Sequence, residues 1–454
     1  MNKQVPKYEC YKDSGEDWIG DVPSHWEVVP IRSIFKFRNE KNDPVITDNI
    51  LSLSIAHGVT EYSEEGRGGN KRKDDLSAYK IARPGDIVMN SMNVIVGAVG
   101  LSKYFGAISP VYYALYTEHD EADINYYERV FQNDCFQKGL LKFGKGILIK
   151  LSGTGKLNTI RMKVSTDDLK TLSFPKPPHN EQIAIVNFLD EKTSQIDEVI
   201  AIKQKQIELL KERKQIIIQQ AVTQGLNPDV PMKDSGVDWI GQIPEHWSVL
   251  SNRRILNSIE QGSSPAMQNN IEAGEYSVLK LSAIKFGEFQ SHESKPITKK
   301  QYDPRYQISN GDFLVTRGNT LELVADSCVV YGLQCQKVML SDLIYRLNFD
   351  LSRVDLGFLL AFFQSPLMRE QIKKSARGSS STMPKVSQEH IKSWLLLLPP
   401  IEEQALISNY LNLELSKISK ATELQQRQID NLKEYKTTLI NSAVTGKIKV
   451  TELA

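Results

Sequence analysis

The chain has 454 residues, 40% of them hydrophobic and 24% charged, with a formal net charge of +1. That length exceeds one ordinary domain, and the composition is of the soluble globular kind, which argues against a disordered, collagenous or membrane-embedded chain. The near-neutral balance means that any anion-binding surface has to be local, and four scattered cysteines with no C-x-x-C pair (Cys10, Cys135, Cys328, Cys335) support neither a disulfide framework nor a zinc ribbon.

The opening MNKQVPKYECYKD has no apolar stretch of the signal-peptide kind, and the longest apolar run is WLLLL, Trp394 to Leu398. A soluble, cytoplasmic chain is therefore expected. Next comes WIGDVPSHW, Trp18 to Trp26, which returns as WIGQIPEHW, Trp239 to Trp247. Residues 12–35 set over 233–256 agree at 14 of 24 positions. Residues 177–223 match 399–445 in the same way, PPHNEQIAIVNFL over PPIEEQALISNYL and LLKERKQIIIQQAVT over NLKEYKTTLINSAVT. A repeat this long is a duplicated domain pair rather than a solenoid, whose periods are about 20–50 residues.

Between the matched ends the copies diverge. ILSLSIAHGV from Ile50 loosely answers YSVLKLSAIKFGE from Tyr276, and YKIARPGDIVMN from Tyr79 answers YQISNGDFLVT from Tyr306. Short apolar or alternating runs broken by Gly-Asp turns predict strands and tight loops. DINYYERVFQ and VDLGFLLAFFQ predict one short helix per copy, and ISPVYY, Ile108 to Tyr113, reads as a buried strand. Each middle is thus a mixed α+β domain.

Each copy then ends in a long helix. From Glu181 to Thr223 there is neither Pro nor Gly, and heptad positions read Leu189, Ile196, Lys203, Leu210, Ile217 and Thr193, Ile200, Ile207, Lys214, Ala221. The second copy gives Leu411, Ile418, Gln425, Leu432, Leu439 and Leu415, Thr422, Ile429, Lys436, Ala443. This is a coiled-coil seam with the same two polar interruptions in both copies. At 1.5 Å per residue each rod is roughly 65 Å long, and the best partner for each is the other. The expected boundaries are 1–178 for a first globular domain, 179–226 for a central helix, 227–400 for a second domain and 401–454 for a C-terminal helix. Antiparallel pairing of the helices gives a chain with an internal pseudo-two-fold repeat, a monomer built like a symmetric dimer.

The Trp phrases opening each copy, P-P-x-x-E-Q at Pro177 to Gln182 and Pro399 to Gln404, and the K-E-x-K…A-V-T endings at Lys211 to Thr223 and Lys433 to Thr445 recur in register. Together they resemble the specificity subunit of type I restriction–modification systems, over nearly the whole chain. The resemblance implies two target-recognition domains that each read a few base pairs, with the paired helices as a ruler between half-sites. It implies a non-catalytic subunit acting in phage defence. It would dock two methyltransferase (M) subunits, which carry S-adenosylmethionine and methylate adenine, and restriction (R) motor-nuclease subunits that use ATP and Mg. Half-sites read from one side of a duplex lie about 34–36 Å apart or a multiple of that, and two unlike domains should read an asymmetric, bipartite site.

Base and phosphate contacts favour Arg, Lys, Asn, Gln and Ser on loops. In the first domain the Gly-rich loop EEGRGGNKRKDD offers Arg67, Asn70, Lys71, Arg72 and Lys73; Asn90 follows a strand; and FGKGILIKLSGTGKLNTIRMK offers Lys145, Lys150, Lys156 and Arg161. In the second, KPITKKQYDPR offers Lys299, Lys300 and Arg305, VTRGNT offers Arg317 and Asn319, and SARGSSSTMPK offers Arg377, Ser379, Ser380 and Lys385. Any one of these alone is an ordinary solvated charge; their placement at matching positions in both copies is what singles them out. The four tryptophans of the repeated phrase read as scaffold, because they are retained where the faces differ.

Catalytic signatures are missing. SGTGKL, Ser152 to Leu157, fails the P-loop pattern, Val111 stands where N/D/S-P-P-Y/F has its second proline, and of the seven His only His25 and His246 match between copies. No metal site and no cofactor on this chain is expected. Two other functions fit the repeat: a coiled-coil adaptor that assembles proteins, and the specificity subunit of a type IIB-like system. An enzyme with diverged motifs would need activity without partners.

Overall fold

The computed structural model describes residues 6–55, 57–63, 75–143, 145–147, 161–265, 275–333, 337–376 and 383–452, with backbone alone at 145–147, 161 and 162. The chain forms two compact units, residues 1–203 with 427–454 and residues 204–426, so that both long helices are divided between them.

The first unit is built on a four-stranded antiparallel sheet in the order Lys36–Arg38, Tyr112–Tyr116, Ile87–Asn90, Val99–Leu101. The second unit has the equivalent sheet, Leu256–Gln261, Ile344–Phe349, Phe313–Thr316, Ser327–Val329, in the same spatial order. A short helix follows in each, Ile124–Phe131 and Leu356–Gln364, where the YYERVF and FLLAFF patterns put aromatic rings into the core. Asp123 and Asp355 cap these helices by accepting from backbone N–H groups of the first turn. Both faces are needed for closure: one side of each sheet meets the helices, and a β-hairpin, Leu51–Ser54 with Gly58–Glu61 or Ile284–Lys285 with Glu288–Phe289, packs beside the edge strand.

The Gly-Asp turns carry a paired carboxylate in both units, buried in the first and half-buried in the second. Asp86 is almost fully buried and accepts from Arg38 Nε at 2.7 Å and from Arg83 N at 2.8 Å. Asp312 accepts from Arg346 Nη1 at 3.0 Å and Ser309 N at 2.9 Å. The arginine comes from the outer strand in one unit and from its neighbour in the other, since only the charge has to arrive beside the turn.

Two sequence expectations need correction. Ile108 to Tyr113 is not one buried strand: Gly106–Ile108 and Tyr112–Tyr116 are separate strands joined by a turn closed by Tyr112 N to Ser109 O at 2.9 Å, with Val111 exposed at its tip. The C-terminal helix runs Ile401–Val444 rather than to residue 454. Gly446, at φ +72°, turns the chain, and Val450–Glu452 forms a separate 3-10 turn. The first long helix is His179–Gln224, ended by Gly225 at φ +73°.

Within the first unit the opening half of the first long helix lies against the closing half of the second. Asp197 accepts from Lys436 Nζ at 2.7 Å, and Lys203 donates to Gln428. Moving back along one helix moves forward along the other, so the segments run in opposite directions. Leu189, Ile196, Leu439 and Ala443 share one apolar core there. Within the second unit, Ile218, Ala221 and Val222 share a core with Ile407 and Leu411, and Gly225 sits beside Glu403. No helix among the described residues is long and apolar enough to cross a membrane.

Candidate nucleic-acid interface

The scaffold that holds the interface is a clasp present in both units. Glu181 lies in the first turn of its helix, where the N-terminal dipole favours a carboxylate. Its Oε2 accepts from Trp26 Nε1 at 3.0 Å and from the Tyr8 hydroxyl at 2.7 Å, and its Oε1 meets His25 Nε2 at 2.6 Å. Glu403 repeats this with Trp247 Nε1 at 3.1 Å and His246 Nε2 at 2.7 Å. The following glutamine ties the helix root to the short capped helix. Gln182 accepts from Asp123 N at 2.8 Å and donates to Pro177 O at 2.8 Å; Gln404 accepts from Asp355 N at 2.9 Å and donates to Pro399 O at 2.9 Å. Thus W-I-G-x-x-P-x-H-W and P-P-x-x-E-Q are two halves of one joint. The outer tryptophans differ: Trp18 packs on Phe136 and Phe174, whereas Trp239 is more than one-third exposed.

Beyond the joint the units diverge in chemistry on the same frame. In the first, Ser91 O accepts from Val164 N at 3.0 Å and the Tyr113 hydroxyl donates to Val164 O at 3.2 Å. In the second, Arg317 O accepts from Val386 N at 2.9 Å and the Tyr345 hydroxyl donates to Val386 O at 3.4 Å. One tyrosine-pinned position therefore carries Ser91 in one unit and Arg317 in the other. In the second unit Gly318 bridges Lys385 in antiparallel register, and Asn319 N donates to Pro384 O at 3.2 Å. A Cβ on Gly318 would stand 2.9 Å from Lys385 Cγ, so the glycine lets the lysine cross the turn. Arg317, Asn319 and Lys385, far apart in sequence, are brought to one place.

In the first unit the matching place holds Lys163, equivalent to Lys385, and Lys80, which the sequence did not single out. Lys80 Nζ donates to Tyr112 O at 3.0 Å and lies 5.3 Å from the Tyr113 ring centroid. Burial pushes the Lys80 ammonium below its ordinary value, and the Lys163 charge adds to the effect. Two neighbouring cations with no carboxylate partner among the described residues are suited to a phosphate. The signal that could have found Lys80 is tertiary, the pairing of its strand Lys80–Ala82 with Gly106–Ile108 beside Tyr112.

The other expected residues fall out as follows. Asn90 ends its strand half-buried, and its Oδ1 accepts from Met92 N at 3.0 Å, closing the turn. Lys145 and Arg161 lie on a hairpin whose register sets Lys145 opposite Lys163 and Arg161 opposite Ile147. Lys299 and Lys300 are exposed in the turn from Thr298 to Gln301. Arg305 folds back on Asp303, Nη2 to Oδ2 at 2.7 Å, in an exposed pair. Arg67, Asn70, Lys71, Arg72, Lys73, Lys150, Lys156, Arg377, Ser379 and Ser380 lie outside the described residues. Among the described residues no group of three or more His, Cys, Asp or Glu could hold a metal ion.

Comparison with known proteins agrees with this frame. Residues 244–434 match the family model described as type I restriction modification DNA specificity domain. The chain is 24% identical over 439 residues to the type I restriction enzyme MjaVIII specificity subunit of Methanocaldococcus jannaschii, covering 95% of each. It is 26% identical over 406 residues to the EcoKI specificity subunit of Escherichia coli K12, covering 86% of this chain and 82% of that one. Its fold is shared, at TM-score 0.68 and 14% identity, with a chain from a structure titled for complex assembly and conformational transition of the type I R-M system; the match covers 93% of this chain and 98% of that one. The chain is thus similar over most of its length to the specificity subunits of type I restriction–modification systems, with the family's DNA specificity domain matched at residues 244–434.

Proposed function

We propose that the chain recognises an asymmetric, two-part site on double-stranded DNA, each unit reading one half. The observation that carries this reading is the contrast within the repeat: the Trp–Glu clasp, the tyrosine pin and the lysine beside it (Lys163, Lys385) are retained, while the residues around them differ, Ser91 and Lys80 in one unit and Arg317 and Asn319 in the other. A shared scaffold with unlike faces suits two different base sequences. The domain boundaries at about residues 178, 226 and 400 follow the same division of labour.

In this reading the two long helices pair antiparallel as a coiled coil and set the distance between the half-sites, which relates the two recognition domains by an internal pseudo-two-fold axis. The opposed helix segments within each unit support the pairing. Two methyltransferase subunits dock on the two repeated units in this reading, and the restriction subunits join them. Methyl transfer from S-adenosylmethionine and ATP- and Mg-dependent cleavage belong to those partners, in the cytoplasm, and this chain performs neither. Adenine-methylation maps of host cells with and without the gene test the proposal. A two-part motif with unlike halves should lose methylation when the gene is deleted; a continuous palindrome, or no change, contradicts it.

A further inference from the structure

Each unit exposes an apolar residue at a hairpin beside its main sheet. Phe286 sits at the tip of the hairpin Ile284–Lys285 and Glu288–Phe289, 63% exposed, at φ +53°. That left-handed conformation is unfavourable for a bulky side chain and suits Gly, Asn or Asp. The tip is nevertheless fixed: Phe286 N donates to the carboxylate of Asp326, which is 4% exposed and also accepts from Gln364 Nε2 at 2.8 Å and Ser327 N at 2.9 Å. Lys285 Nζ lies 5.6 Å from the Phe286 ring centroid. Asp326 O in turn accepts from Thr316 N at 2.8 Å, the residue before Arg317, so the tip is joined through one residue to the candidate cation cluster.

The equivalent hairpin of the first unit, Leu51–Ser54 with Gly58–Glu61, also exposes an apolar side chain. Ile55 is also 63% exposed at its tip, next to His57 and the left-handed Gly58. This hairpin approaches its edge strand so closely that a Cβ on Gly100 would lie 2.9 Å from Gly58 Cα. In the second unit, then, an apolar side chain stands out from an anchored tip beside Lys285. Strain held in place by a buried anchor, around a side chain that supports nothing in the fold, points to a contact outside it.

We propose that Phe286 is an apolar wedge that the second unit sets against a base-pair step of duplex DNA, with Lys285 on the flanking phosphate. The chemistry is that of aromatic or aliphatic side chains pressed between base steps, partly unstacking them, while neighbouring cations hold the backbone. It rests on the DNA-reading function proposed above and adds to it a source of specificity that needs no base-edge hydrogen bond, the ease with which the step deforms.

The test uses the full chain with its modification subunits and a duplex selected by that complex from a random-sequence pool. 2-Aminopurine is placed in turn at each position of the site, and its fluorescence reports where stacking is lost. Wild type should light up one step in the second unit's half-site. Phe286→Gly, which suits the left-handed conformation and keeps the fold, should abolish that signal and weaken binding about tenfold, equivalent to about 1.4 kcal/mol, while Phe286→Trp should keep both. A Phe286→Gly complex with the wild-type fluorescence pattern and affinity overturns the wedge. So does a variant that binds DNA normally and loses a modification subunit, which would make the tip a protein contact. Failure of the wild type to select any duplex is a separate outcome, which overturns the DNA reading itself.

Discussion

The indole N–H of Trp26 donates to Oε2 of Glu181 at 3.0 Å, joining residues 155 apart in sequence, and Trp247 reaches Glu403 in the same manner at 3.1 Å. Trp26 is fully buried and Tyr8 nearly so, and both spend their polar hydrogens on this one carboxylate. Glu181→Ala leaves two buried donors without an acceptor. It should destabilise the first unit by about 2–4 kcal/mol, which lowers Tm by several degrees at about 2–4 °C per kcal/mol. Glu181→Gln, which keeps one oxygen, should cost less. Thermal melts followed by tryptophan fluorescence decide it; equal melting of Glu181→Ala and wild type contradicts the clasp.

Burial raises the phenol of Tyr8, helped by Glu181, and burial likewise raises Tyr126 and Tyr127, all above the ordinary 10.0. Below pH 10 these groups are neutral whether the chain is folded or not. As pH rises through 10 the unfolded phenols ionise and the folded ones do not, so the unfolded state is favoured. Stability should fall by up to about 1.4 kcal/mol per pH unit for each phenol. Urea melts between roughly pH 9 and 11 should show a shallower decline in Tyr126→Phe, measured against its own neutral-pH stability. An unchanged slope removes Tyr126 from the account.

Gly15 and Gly446 share a left-handed backbone, φ +73° and +72°, but not the same surroundings. A Cβ on Gly15 meets nothing within 4 Å, whereas one on Gly446 falls 2.4 Å from Pro23 Cδ and 3.0 Å from Trp26. Gly15→Ala should cost about 1–2 kcal/mol, the backbone penalty alone. Gly446→Ala should cost about 3 kcal/mol or more, because proline and a buried indole cannot yield cheaply. Denaturant midpoints of the two variants test the contrast, and equal losses contradict it.

Lys80 is held with its charge partly desolvated and next to Lys163. Removing that charge should help the isolated fold and harm the complex. Lys80→Met is expected to melt at or slightly above the wild-type temperature. It should bind duplex DNA more weakly and reduce the slope of log affinity against log salt by about 1, the release of one counterion. A variant with wild-type affinity and salt dependence would return Lys80 to the scaffold.

Much of this architecture could be read in the sequence because it was written twice. The duplicated WIG…HW and PP…EQ phrases mark residues that bond to each other, so neither could drift independently. The Pro- and Gly-free heptads gave the long helices, and DINYYERVFQ and VDLGFLLAFFQ gave the capped helices. Arg317, Asn319 and Lys385 stand out in sequence without any sign that they meet, since their meeting depends on the bridge between Gly318 and Lys385. Lys80 carries no local signal because tertiary packing, not local pattern, sets it beside Tyr112 and Tyr113. The exposure of Phe286 was equally hidden: K-F-G reads as an ordinary turn, and only its backbone angle and the buried Asp326 make it unusual. ISPVYY misled because its apolar residues suggest one run, while the register places a turn at Ser109 to Val111.

The core of the first unit contains Leu439, Ala443, Val444, Ile448 and Val450 alongside Trp26 and Phe174, whereas the second unit is drawn wholly from residues 204–426. During synthesis, which proceeds from the N-terminus, the second unit has all its parts before the first does. The half made earliest must therefore wait, with an apolar face uncovered, for the residues made last, and a chain stopped after residue 426 should yield a finished second unit and an open first one. Folding order and chain order are inverted, which exposes the N-terminal half to aggregation and chaperone capture for longer than its position would suggest.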